Sequence, residues 1–249
     1  MSKPKSPSPQ KTSKKLLLTI MVPVYNEEKT IGRILKAVSS LPIEGYEVIV
    51  VDDASHDKSP AIIDDFSKKF KSQNVELKLM RHPKNRGKGA AIKTALKNAQ
   101  GHYFVIQDAD LEYDPRDIPP LLDAALKTDK DAVYGSRFLG TITGMPKPNY
   151  YANRFYNFML RRLYSTRITD MHTCYKMVRT PLLQDLKMTS EGFGYATELV
   201  SKLLRRGIDI HEVPVGFKGR TKRQGKKIDY KDGIECTYKI IHYRFKTDI

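Results

Sequence analysis

The feature that most constrains this chain is an alternation running from Leu16 to about Lys127. Short unbroken apolar runs take turns with longer segments whose apolar residues recur every three or four positions. Leu16–Val22, Tyr46–Val51, Val75–Met80 and His102–Gln107 have strand length, and Asp131–Gly135 follows as a fifth. Glu28–Ser40 is amphipathic through Ile31, Ile34, Leu35 and Val38. Helices are predicted near Pro60–Lys71, Gly89–Gln100 and Pro115–Lys127, the last with proline in its first turn. Strands that are apolar throughout are buried on both faces, and helices between them make neighbouring strands parallel. The pattern predicts an α/β chain with a Rossmann-like, doubly wound, mostly parallel sheet.

Past residue 136 the regularity loosens. The sequence predicts an amphipathic helix over Asn149–Tyr164, a short strand over Cys174–Val178 and a helix over Tyr195–Arg206 closed by Gly207. A basic, glycine-containing loop over Gly216–Ile228 leads to a final amphipathic helix over Asp229–Phe245. We expect a single domain over 16–249, with halves 16–136 and 137–249, the second made largely of helices. Residues 1–15 hold three prolines, four serines and five lysines with no acidic residue, so they are expected to be a disordered basic tail.

No run approaches the roughly 18 apolar residues of a membrane span, and no apolar segment follows the N-terminal lysines as in a secretory signal. Cys174 and Cys236 lie far apart and near no metal-ligand cluster, as reduced cytosolic thiols do. With 44 Lys and Arg against 28 Asp and Glu, the net charge is +16. Such a balance favours anionic partners: nucleic acid, phosphorylated substrates or an anionic membrane face.

Four constellations carry the chemistry. Asp108-Ala109-Asp110 directly follows the fourth strand, where open α/β sheets bind ligands. Two carboxylates so spaced can share one hard divalent cation that also holds a diphosphate, and Glu112 offers a further oxygen. An exposed acidic turn is the plain alternative. Asp52-Asp53-Ala54-Ser55 ends the second strand, where a carboxylate can accept from a base or ribose, or simply cap the next helix. Pro23-Val24-Tyr25-Asn26-Glu27 ends the first strand, with Tyr25 able to line a base pocket. Asn85-Arg86-Gly87-Lys88-Gly89 offers glycines for close backbone approach and cations, Lys88 among them, for a diphosphate. It lacks the pattern of a P-loop. Together the four converge on one nucleotide-binding crevice, so 16–136 is expected to be the nucleotide-binding half.

These motifs, with Asn85–Ala91, resemble those of the family 2 inverting glycosyltransferases of the GT-A fold. Tyr134-Gly135-Ser136-Arg137-Phe138, Asn153-Arg154, Thr169–Lys176 and Glu212-Val213-Pro214 narrow the resemblance to the polyprenyl-phosphate hexosyltransferase branch, which includes the dolichol-phosphate mannose synthases. The resemblance spans about Leu18 to Lys231. It implies that Asp53 contacts the nucleoside beside Pro23, Tyr25 and Glu27, and that Asp108 and Asp110 bind Mg²⁺ or Mn²⁺. It further implies that Arg137 and Arg154, with Ser136, hold the acceptor phosphate, and that Arg220 closes over the donor diphosphate. Asp170 and Glu198 are secondary candidates, Asp170 to orient an arginine or sugar hydroxyl. Glu112 stands where the mannose synthases usually have Gln, which leaves the donor open between GDP-mannose and a UDP-hexose.

The implied acceptor is a polyprenyl or dolichyl phosphate, so the enzyme is expected on the cytosolic face of a membrane, peripheral or recruited by an anchoring partner subunit. The helix from Asn149 carries Tyr151, Phe155, Phe158, Met159 and Leu163 among Arg154, Arg161 and Arg162, which suits an interfacial helix or one packed on the sheet. In the final helix Tyr230, Ile234, Tyr238, Ile241 and Phe245 align at helical spacing and are expected to dock inward. Two other readings stay open: a transferase acting on a sugar or other hydroxyl, and a basic nucleic-acid binder. The second finds no RRM, zinc-finger or helix-turn-helix signature, so no specific nucleic acid is expected.

Overall fold

The computed structural model describes residues 16–246 apart from 73, 193 and 221–229. The basic tail and most of the loop over Gly216–Ile228 therefore lie outside the described residues. The strands are β1 (Leu18–Val24), β2 (Tyr46–Asp52), β3 (Val75–Arg81), β4 (Tyr103–Ile106), β5 (Ala132–Ser136), β6 (Ile142–Thr143), β7 (Lys176–Arg179), β8 (Ile210–Pro214) and β9 (Phe217–Lys218). The helices are α1 (Ile31–Val38), α2 (Ser59–Lys69), α3 (Lys88–Leu96), α4 (Ile118–Thr128), α5 (Lys147–Tyr164), α6 (Thr180–Asp185), α7 (Tyr195–Arg205) and α8 (Tyr230–Phe245).

Seven strands form one sheet in the order β3-β2-β1-β4-β7-β5-β8, and β6 pairs with β9 separately. The apolar runs become its centre: nearly every residue of β1, β2, β4 and β5 is buried. At the edge, β3 is buried only at Val75. All neighbours are parallel except β7, which runs antiparallel to both β4 and β5. The α/β, GT-A-like, mostly parallel architecture agrees with the sequence pattern. Both β7 and β8 come from the second half of the chain, so the sheet runs through both halves.

Helix α5 packs on α7 and α8, with Asn157 and Leu160 inward and Tyr151, Phe155 and Phe158 exposed. Helix α8 corrects one expectation. Its buried side is Cys236, Ile240 and Tyr243, whereas Ile234, Tyr238, Ile241 and Phe245 face outward. The apolar spacing is real, but the side it marks is the uncovered one. Tyr156 Oη donates to Gly233 O (3.1 Å) and Tyr164 Oη to Ile240 O (2.8 Å), and these bonds fix which side of α8 turns inward.

Candidate active site

Chain order departs from β1 in one direction through β2 and β3, then returns to its other side with β4. A crevice must open at the carboxyl ends of β1 and β4, where the connections diverge. The turns after β1, β2 and β4 each contain a left-handed residue that is not glycine: Asn26 (φ 56°), Ala54 (φ 60°) and Leu111 (φ 62°). For alanine and leucine that conformation costs about 1 kcal/mol, so tertiary bonds must hold it. Asn26 N–H donates to Ser55 Oγ (3.0 Å) and Asn26 Oδ1 accepts from His56 N–H (2.8 Å). Glu112 N–H donates to Asp110 Oδ1 (3.0 Å).

Asp108 and Asp110 sit in this crevice with Ala109 buried between them. The Lys88 ammonium lies 2.6 Å from Asp108, and Arg220 Nη2 lies 2.9 Å from Asp110. Arg220 also spans to Glu27 at 3.1 Å, while Pro23 and Tyr25 are half-buried at the end of β1. The structure thus brings together Glu27, Lys88, the pair Asp108 and Asp110, and Arg220 from four separate segments. Burial, and next the Asp108 charge, push the Asp110 carboxyl up to about 7, against the pull of Arg220. Asp108 moves the other way: burial would raise it, but Lys88 holds it below the usual carboxylate range.

Among the described residues no three His, Cys, Asp or Glu side chains converge to hold a metal ion. The Asp108–Asp110 pair nevertheless fits a hard divalent cation. It offers carboxylate oxygens only, and its mutual repulsion is what such a cation relieves, with water and diphosphate oxygens completing the shell. Glu112 is not positioned as the third ligand. Its Oε1 accepts from Arg220 N–H at 2.6 Å and its carbonyl accepts from Lys218 N–H at 2.9 Å. The extra carboxylate anchors the segment that carries Arg220.

Asp53 is the residue expected to contact the nucleoside. It is buried, and its oxygens accept from Arg86 N–H (2.9 Å) and Gly87 N–H (2.7 Å), with His82 Nδ1 at 2.6 Å. A carboxylate so engaged shapes the loop 85–87. The glycines serve the same packing: a Cβ on Gly87, at φ +91°, would stand 2.6 Å from Glu191 O, and one on Gly89 2.5 Å from Ser190 O. Asp53→Asn should therefore weaken donor binding about tenfold through loop disorder and cost about 1–3 kcal/mol of stability. Calorimetric donor affinity beside the melting temperature checks this. If stability falls while donor affinity holds, the loop does not serve the donor.

Among the residues expected to hold an acceptor phosphate, Ser136 is buried with its Oγ 2.7 Å from Thr169 Oγ1. Arg137 is buried too, its Nε and Nη2 each donating to Asp170 at 2.7 Å in a bidentate pair. Asp170 thus orients an arginine. Sequence reasoning assigned no role to Glu212, whose carboxylate accepts from the N–H groups of Thr169 (2.8 Å) and Asp170 (3.0 Å) and so sets that pair in place. The signal was its place in a matching motif. Arg154 is exposed and lies over the Phe138 ring (5.8 Å), as Arg137 does (5.9 Å), so the two arginines share one aromatic neighbour.

Glu198 turns away from this chemistry. Its carboxylate accepts from Thr189 N–H (2.8 Å) and Ser190 N–H (2.7 Å) and pairs with Lys202 (2.7 Å). Burial alone would raise it, but the Lys202 ammonium, Ser190 and the backbone donors outweigh burial and hold it at about 2. It braces the loop that meets Gly87 and Gly89.

A crevice at the sheet's switch point, with paired carboxylates flanked by cations, is the form of a glycosyltransferase site. The profile of Glycosyl transferase family 2 matches residues 19–187, and the chain belongs to that family. It is 31% identical over 211 residues to an uncharacterized protein of Methanocaldococcus jannaschii, covering 77% of this chain and 84% of the relative. It is 27% identical over 223 residues to the dolichol-phosphate mannosyltransferase of Pyrococcus furiosus, covering 85% of this chain but only 60% of that protein. Among solved structures, glucosyl-3-phosphoglycerate synthase from Mycobacterium tuberculosis, in complex with Mn²⁺, UDP and phosphoglyceric acid, shares the fold. The TM-score is 0.70 at 18% identity, over 94% of this chain and 80% of that one.

Proposed function

We propose that this protein transfers a hexose, with inversion, from a nucleotide sugar to a polyprenyl or dolichyl-type phosphate at a membrane surface. GDP-mannose is the favoured donor, on the similarity to a dolichol-phosphate mannosyltransferase. One observation carries the choice of acceptor. A hydroxyl acceptor needs a carboxylate free to take its proton. Among the described residues, the carboxylates around Arg137 are committed, Asp170 to that arginine and Glu212 to the N–H groups of Thr169 and Asp170, and Glu198 is committed to Lys202 and backbone donors. A phosphate monoester arrives already ionised and needs no such base.

In this reading a phosphate oxygen attacks the anomeric carbon as the bond to the diphosphate oxygen breaks. When bound by Asp108 and Asp110, Mg²⁺ or Mn²⁺ supplies charge neutralisation for the leaving diphosphate. Lys88 and Arg220 flank the same oxygens, and Glu112 holds the Arg220 segment against the crevice. Arg137 and Arg154 bind the incoming phosphate, offsetting the repulsion of two anions brought into line. The uncovered aromatic side of α5, with Arg154 and Arg162 also exposed, supports docking on an anionic lipid surface. No helix of the described residues is long and apolar enough to cross a membrane.

Arg154 gives the cleanest test, because among the described residues it has no ion pair to lose. Arg154→Ala should cut transfer to a short polyprenyl phosphate by roughly ten- to hundredfold, the worth of one charge-assisted contact, without changing donor affinity or folding. Arg154→Lys should recover it in part. Turnover is measured with GDP-mannose and UDP-glucose, Mg²⁺ or Mn²⁺, and both lipid phosphate and free sugar acceptors. Preferential transfer to the free sugar would overturn the reading.

A further inference from the structure

Three lysines and arginines of the crevice floor are deeply placed, and two of them have carboxylates: Lys88 has Asp108 and Arg137 has Asp170. The third, Lys176, is 2% exposed and has no carboxylate within ion-pairing distance among the described residues. Its Nζ donates to Thr173 O and lies 5.3 Å from the centroid of the Tyr134 ring. Topology explains its location. Because β7 runs antiparallel between β4 and β5, its first residue sits at the carboxyl ends of its neighbours, opposite Tyr134. Lys176 therefore stands in the seam between Asp108, which follows β4, and Arg137, which follows β5.

A buried ammonium without a counter-charge is unfavourable, and a protein that needs only packing there would do better with methionine or leucine. Burial, reinforced by Lys88 and Arg137, pushes its amine down to about 7 against the pull of Asp170 and Cys174. What such a position lacks, among the described residues, is an anion in direct contact, since Asp170 acts on it from beyond ion-pairing distance. Resting on the phosphate-acceptor reading above, we propose that Lys176 is a third acceptor-binding residue. Its flexible side chain leaves Thr173 O and donates to the acceptor's phosphate monoester, between the arginine pair and the donor carboxylates. The group is a point charge with rotatable donors, suited to follow a phosphate oxygen as it closes on the anomeric carbon.

The experiment compares wild type, Lys176→Met and Lys176→Arg for KM toward a short-chain prenyl monophosphate, kcat, calorimetric donor affinity and melting temperature. Lys176→Met should raise the acceptor KM about tenfold or more while donor affinity holds. Its melting temperature should be equal or higher, since an uncompensated charge has gone, a result that a merely structural lysine would not give. Lys176→Arg should restore part of the acceptor affinity. If wild type uses the prenyl phosphate and Lys176→Met does so at the same KM, the role of Lys176 is overturned and the acceptor reading stands. If wild type ignores the prenyl phosphate and glycosylates only hydroxyls, the acceptor reading falls and the role of Lys176 falls with it.

Discussion

Asp110→Asn is expected to lower turnover at least about a thousandfold, the scale of losing charge stabilisation at a leaving group, while the fold survives. The carboxyl is held against its tendency: burial and Asp108 push it up to about 7, and Glu112 adds to the repulsion. Asparagine keeps the shape, and its single amide oxygen can still accept from Glu112 N–H, while Arg220 retains its pairing with Glu27. It removes the charge that a divalent cation needs and also relieves the crowding of carboxylates. Melting temperature should therefore hold or rise slightly. Mn²⁺ binding, followed by electron paramagnetic resonance, should weaken in parallel with turnover. Full activity of this variant, or of wild type in excess EDTA, would remove the metal-binding role.

Arg137→Ala should act on both stability and chemistry. Its guanidinium is the bidentate partner of Asp170, and both groups are buried. Removing one leaves an uncompensated charge, a loss of about 3–5 kcal/mol. For a chain of this size that is a fall in melting temperature of roughly 6–20 °C. Lipid glycosylation should fall further than stability alone explains. The double variant Arg137→Met with Asp170→Leu separates the two contributions: it should regain most of the stability and none of the transfer. A double variant that restores transfer would show that Arg137 only fills space.

Much of this architecture can be read from residue order because β1, β2 and β4 are apolar throughout, and only a doubly covered sheet buries such runs. Direction is another matter: Cys174–Val178 reads as a strand, but nothing in its pattern says that β7 enters the sheet reversed. Strand β8 escapes because Ile-His-Glu-Val-Pro is half exposed at an edge, and α6 because six residues are too few for a period. In the site, position on strand ends identifies the carboxylates Asp53, Asp108, Asp110 and Glu112. Which group each one binds is invisible, since Glu112 meets Arg220 across 108 positions and Asp53 meets Gly87 across 34. For Glu112 the partner is a backbone N–H, as are two of the three partners of Asp53, a donor common to every residue but proline that no side-chain pattern can mark.

The reversed strand between β4 and β5 also bears on how such an enzyme diversifies. A protein whose donor and acceptor parts were joined end to end could exchange one of them by gene fusion at the junction. Here a cut after Ser136 would strip β5 of both its sheet neighbours and leave β4 paired only with β1. The first 136 residues would leave three strand edges without partners, both of β5 and one of β4, an invitation to aggregation. Chimeras meant to change acceptor preference should therefore be spliced within the loops flanking α5, where residues such as Gly144, Ser165 and Arg167 are exposed. The same geometry predicts that donor and acceptor parts unfold in one transition.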